Sequence, residues 1–357
     1  MRAKGFLPLI LVLIITASAG CDNVEWDGTE IRIEPPPPSP ATLEAERAEA
    51  EAEEEEMLEP VSLSPLVYLV QRTDPGEPPE TGDGATSARD ATLLPVAQLT
   101  ANGYSPLPDP AETPDLVERF PLERWEPETE FVVFSQGAPV GRFIADGSSR
   151  LDETFCLARA RGSGILHVRP GAASEERFLA LRRDDLPDVP SALTPHPGFE
   201  VTDEFRNRSL DAARTLIPRL GVPWPPSVLG IRRRIDAFTA GESRRAVAAS
   251  FVFGDDLQVG SPQPTGYSLF LIAAEEDDEF SPVFSWYQSA DAGPKAFPGF
   301  LAAADLRQMG EPDILLEVFG QEARWLAFLG WEGEARQLVY QDPCGVDPVA
   351  GALQDHP

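Results

Sequence analysis

The chain has 357 residues, with 29 Lys and Arg against 59 Asp and Glu, and a formal net charge of −30. Charge of that sign repels nucleic acid and anionic lipid headgroups, so neither is an expected partner. Hydrophobic residues make up 42%, enough for real cores, and the length suits one large domain or two modest ones.

Met1-Arg2-Ala3-Lys4 is a short basic start, and Phe6 to Ile15 is an apolar run. Ala17-Ser18-Ala19-Gly20 then supplies small residues directly ahead of Cys21. Basic, apolar and small-residue segments in that order make a secretory signal. The apolar run is short for a membrane span. The ending Ala19-Gly20-Cys21 resembles the lipobox of bacterial lipoproteins, with Ser18 where Leu is usual. In that family the Cys becomes the mature N-terminus and carries the acyl chains. The resemblance therefore implies a signal peptide over 1–20 and palmitate-type lipidation of Cys21. It also implies an envelope protein anchored to a membrane that faces the periplasm or the cell surface. One acyl chain binds a membrane marginally, whereas two or three hold it firmly. Asp22 leans weakly toward the inner membrane, and the choice of membrane stays open.

Residues 21–60 read as an acidic tether. Pro35-Pro36-Pro37-Pro38 imposes a polyproline II rod, because proline fixes φ and lacks an amide donor. Ala41 to Met57 is an Ala/Glu run without an apolar stripe, so no partner helix is expected.

Residues 61–200 read as a β-rich domain, a meander forming a small sandwich or barrel. Val67-Tyr68-Leu69-Val70 is a strand candidate, and 73–89 a Pro/Gly/acid loop. Leu93 to Leu99, Asn102-Gly103 and Tyr104 read as a hairpin, since Asn-Gly supplies positive φ. Phe131 to Phe134, Gln136-Gly137 and Pro139 to Ile144 read as a second. Further strands are expected at Phe155–Ala160, Gly164–Val168 and Arg177–Leu181, with Gly162-Ser163-Gly164 as a turn.

Residues 201–226 are expected to connect two domains. Phe205, Leu210, Ala213, Leu216 and Ile217 recur at near-helical spacing, predicting one helix near 203–217, stopped by Pro218 and Gly221. Pro223 to Pro226 is a rigid connector.

Residues 227–345 read as a duplicated antiparallel β unit, with 346–357 a tail. Asp236 to Glu242 and Asp305 to Glu311 share an Asp-x4-Gly-Glu frame. Each is followed by corresponding strands: Ala246–Phe251 and Ile314–Phe319, then Tyr267–Ile272 and Arg324–Leu329. Each copy closes on an aromatic strand, Val283–Trp286 or Gln337–Tyr340. Asp255 to Gly266 is an insertion in the first copy. Such units bury their apolar faces by packing together. Ala303 to Leu315 resembles a decayed FG-GAP-type repeat, a family whose Asp-rich loop binds calcium. Here Asp305 and Asp313 remain as weak metal candidates, but Arg307 and Met309 stand where oxygen ligands belong. No metal is expected.

Neither a Gly-x-Ser-x-Gly elbow nor a phosphate-binding glycine loop occurs in the sequence. His167, His196 and His356 have no partner at metal-ligand spacing, and a structural role is expected for each. Trp286, Trp325 and Trp331 read as core aromatics. Acidic pairs such as Asp184-Asp185 and Asp277-Asp278 fall in turns. With Cys21 lipidated, Cys156 and Cys344 remain, and an exported protein pairs such residues as a disulfide.

These features predict a mainly β protein with no catalytic residues and no cofactor. The expected function is non-catalytic: binding or scaffolding in the bacterial cell envelope, with a membrane held through the lipid and an envelope protein or glycan as partner. The alternative is an envelope-polymer hydrolase. An enzyme should show a cleft with converging polar groups and a perturbed acid or base. A scaffold should show a flat or apolar patch.

Overall fold

Strand β1 (Leu66–Arg72) is apolar on both faces, and the two faces belong to different cores. Leu66, Tyr68 and Val70 point into one, Val67 and Leu69 into another. The computed structural model describes residues 64–73, 87–107, 124–136, 138–186, 201–241, 244–277, 279–332, 335–349 and 351–355. Cys21, His196, His356 and the tether lie outside them. Residues 61–357 form one unit by their internal contacts.

The first core is the inside of a barrel. Strand β1 pairs with β2 (Ser87–Thr100), which carries the short β3 (Gly103–Ser105). Strands β4 (Glu130–Ser135), β5 (Ala138–Asp152) and β6 (Arg159–Val168) form a meander. Strand β7 (Arg177–Arg182) joins β4 to β1, and β6 joins β2, so six strands close on themselves. Closure removes the unpaired edges of an open sheet. Tyr68, Trp125, Phe131, Phe143 and Phe178 fill the interior, with Tyr68 and Phe131 edge-to-face at 5.0 Å.

Two expectations change here. Gly162-Ser163-Gly164 is not a turn but the middle of β6, and Phe155 to Leu157 precede that strand. The glycines are there for space. A Cβ on Gly164 would lie 2.1 Å from the Ile144 carbonyl oxygen, and one on Gly162 would lie 3.1 Å from the Trp125 ring.

The second half contains two successive four-stranded antiparallel meanders, the duplication expected from the sequence. The first is β8 (Arg232–Ala240), β9 (Arg244–Phe253), β10 (Tyr267–Glu276) and β11 (Glu279–Ser289). The second is β12 (Phe297–Ala304), β13 (Asp313–Phe319), β14 (Arg324–Glu332) and β15 (Ala335–Gln341). The shared frame is displaced at its start. Ala240 pairs with Arg244, whereas Ala304 pairs with Asp313, so Asp236 lies inside β8 and Asp305 in the loop after β12. The C-terminal segment is more than a tail, since β16 (Leu353–Asp355) pairs with β11.

The two sheets pack face to face, Phe238, Phe270, Phe284 and Trp286 against Phe300, Ile314, Leu316 and Trp325. The other face of the second sheet (Leu301, Leu315, Leu326, Phe328) packs on the outside of the barrel at Val67, Leu69, Leu179 and Leu181. Strand β13 is therefore covered on both faces, and all its residues are buried. The outer face of the first sheet is covered by α1 (Asp203–Leu216). Thr202 caps this helix by accepting from the Phe205 amide, and Gly221 ends the following turn at φ 68°. The order of layers is barrel, second sheet, first sheet, helix.

Polar bonds tie barrel to sandwich. Cys156, just before β6, is disulfide-bonded to Cys344, just after β15, with Cα atoms 6.3 Å apart. Beside it Arg159 (2% exposed) forms an ion pair with Asp342 (0% exposed). Asp342 also accepts from the Tyr340 hydroxyl at 2.8 Å and the Leu326 amide at 2.9 Å. Such pairing is what permits charge in a core. Arg159 and Arg324 each place a guanidinium over the Phe155 ring, at 5.6 and 5.1 Å.

Candidate functional site: a cleft between barrel, sandwich and helix

A cleft of about 1160 Å³ opens where the barrel, both sheets and the N-terminus of α1 meet. Ser135 and Gln136 of the β4–β5 turn line one side, with the segment Pro170–Arg177 that leads into β7. The helix contributes Thr202, Glu204, Phe205 and Arg206, β8 contributes Asp236, and β12 contributes Phe300 to Ala303.

The walls are held in place by backbone bonds. Arg72 Nη1 donates to the carbonyls of Ala173 at 2.6 Å and Glu175 at 3.2 Å, and its amide donates to Glu176. The segment before β7 is thereby fixed from β1. The Thr239 amide donates to the Gln136 carbonyl at 3.4 Å, joining β8 to the barrel turn.

Two carboxyl groups converge here. Glu175 accepts from the Ser135 hydroxyl. Burial raises its pKa from 4.5 to about 7, the Ser135 bond works against the rise, and the charge of Asp236 adds to it. Burial likewise raises Asp236 from 3.8 to about 6, although the Arg234 and Arg177 guanidiniums pull it down. Asp236 Oδ2 is buried and has no hydrogen-bond partner among the described residues. Two interacting acids with raised pKa values in a cleft make a functional-site candidate.

The cations around the cleft are otherwise engaged. Arg245 Nε donates to Glu275 at 2.7 Å and Nη1 to Glu204 at 3.0 Å, with the guanidinium over the Phe205 and Phe280 rings. Arg206 pairs with Asp203, and Arg234 Nη1 donates to the Phe300 carbonyl at 2.8 Å. Arg177 lies 3.8 Å from Glu176.

Apart from Asp236, which opens the first Asp-x4-Gly-Glu frame, the residues singled out from the sequence lie elsewhere. Asp305 accepts from the amides of Met309 and Gly310 at 2.8 and 2.9 Å, closing its own loop. Asp313 (1% exposed) is bound by Arg307 at 2.7 Å and by the Tyr104 hydroxyl at 2.6 Å. No cluster of three metal-ligating side chains occurs among the described residues. His167 sits on β6 opposite Arg142, its pKa lowered by burial and by that arginine. Trp286 and Trp325 are core, while Trp331 is half-covered, with Arg336 over its ring. Glu175 carried no signal in the sequence, standing beside Glu176 in an ordinary loop. Asp236 did carry a signal, a carboxylate between Ile235 and Ala237 in an apolar strand.

Comparison with known proteins found no family model, no curated protein and no solved structure that matches the chain.

Proposed function

We propose that this protein is a lipoprotein of the bacterial cell envelope, anchored through Cys21, whose folded body binds a polar envelope component in the cleft. The cleft carries this reading. It is concave, built from three parts of the fold, and holds two carboxyl groups that its own cations leave incompletely neutralised. The acidic tether at 21–60 would hold the cleft clear of the membrane surface. The lipobox resemblance supports the anchor, and a Cys21→Ser variant should leave the membrane fraction for the soluble one.

The binding reading is tested by hydrogen exchange. Solubilised envelope peptide and glycan fractions are added separately, and exchange is followed at 170–177 and 201–206. Slowed exchange confined to these segments is the expected result. Unchanged exchange with every fraction would overturn the reading.

One observation favours the hydrolase as a second reading: the cleft meets the expectation stated above for an enzyme, and a pair of interacting acids with raised pKa values is also what glycoside and amide hydrolysis uses. Release of new reducing ends or amines from envelope polymers, lost in Glu175→Gln, would select it over simple binding.

A further inference from the structure

The Arg234 and Arg177 guanidiniums act on Asp236, but neither forms an ion pair with it or with Glu175 among the described residues. Glu175 has one donor, the Ser135 hydroxyl, and Asp236 Oδ2 has none among the described residues. Each neighbouring cation has its own acid or carbonyl. Arg245, from β9, is held by Glu275 and Glu204. Arg206, from the helix, is held by Asp203, and Arg234, on β8 itself, by the Phe300 carbonyl. Arg177, at the start of β7, lies beside Glu176. Burying carboxylates without a bound cation is costly, and a cationic ligand would relieve that cost. The chain as a whole carries a net charge of −30, which draws cations toward it.

We propose that the Glu175–Asp236 end of the cleft binds a primary ammonium group carried by a polar ligand. The proposal rests on the binding reading above and names the chemistry of its ligand. A lysine side chain of a peptide and the amine of an amino sugar share that chemistry, and the volume accommodates either as a short oligomer. The ammonium donates to Asp236 Oδ2 and to the Glu175 carboxylate, and the remaining polar atoms of the ligand meet Thr202 and Gln136. Both acids ionise when the cation arrives, so binding releases protons.

The test uses two matched pairs of probes with the lipid-free chain from residue 22. One pair is a lysine-centred tripeptide and its Nε-acetyl form, and the other is a glucosamine trimer and its N-acetyl form. Acetylation removes the charge and keeps the rest of the ligand. Calorimetry at pH 6.5 in buffers of different ionisation enthalpy reads affinity and proton release together. At least one ammonium probe is expected to bind tenfold or more tightly than its acetylated partner, releasing protons, and the pair that does so identifies the source. A Glu175→Gln/Asp236→Asn variant should lose that preference while keeping the native circular dichroism. Equal or tighter binding of the acetylated probes would overturn the ammonium inference and leave the cleft as a site for neutral ligands. Failure of both pairs to bind would also overturn it, whereas the binding reading falls only if exchange in the cleft is unchanged by every envelope fraction.

Discussion

Replacing Glu175 by Gln turns the burial of this acid into a measurable dependence of stability on pH. The side chain keeps its shape and can still accept from Ser135, so the main change is the loss of a titration. The folded-state pKa of about 7 lies above the ordinary 4.5. The folded protein therefore holds the proton more tightly than the unfolded chain. Its contribution to stability is fully present below pH 4.5 and is lost as pH rises through 7. A difference of this size corresponds to about 3 kcal/mol, at 1.36 kcal/mol per pH unit. Glu175→Gln should match the parent near pH 4 and exceed it by about 3 kcal/mol at pH 8. Urea unfolding at several pH values, with the disulfide intact, measures the difference directly. A stability gap that stays constant from pH 4 to 8 would show that Glu175 is not held protonated by its surroundings, and the argument for the cleft would lose its main electrostatic support.

Three further outcomes follow from the packing. Reducing Cys156–Cys344, which are 188 residues apart in sequence, should cost up to about 5 kcal/mol by the chain-entropy model, read as a lower urea midpoint in reductant. Arg159→Met should cost about 3–5 kcal/mol because Asp342 is left charged in the core, and adding Asp342→Leu should restore much of it; an additive double variant would refute the buried pair as the cause. Gly164→Ala should cost about 1–3 kcal/mol by forcing β5 and β6 apart, visible as faster amide exchange along both strands.

Local signals in the sequence carried the elements whose causes are local. The periodic apolar residues from Phe205 to Ile217 and the stops at Pro218 and Gly221 define α1 because amphipathicity and helix termination are matters of neighbouring residues. The β4–β5 hairpin and three strands of each meander were legible for the same reason, turn residues and alternation reporting on nearby pairing, whereas β8 and β12 were not. The glycines of β6 misled because their cause is distant. They make room for Trp125 and for the Ile144 carbonyl, which no local pattern records.

The sequence by itself determined a mainly β chain, one helix, an internal duplication, and two cysteines available to pair. The closure of the barrel through β1, β2 and β7, the burial of β13 on both faces, and the cleft were decided only by tertiary structure. Ser135, Glu175, Thr202, Asp236 and Phe300 lie far apart in the chain, so their convergence depends on how the layers stack. The raised pKa values depend on it too, because the rise comes from the water that packing removes, while Arg234, two residues along β8, pulls Asp236 the other way.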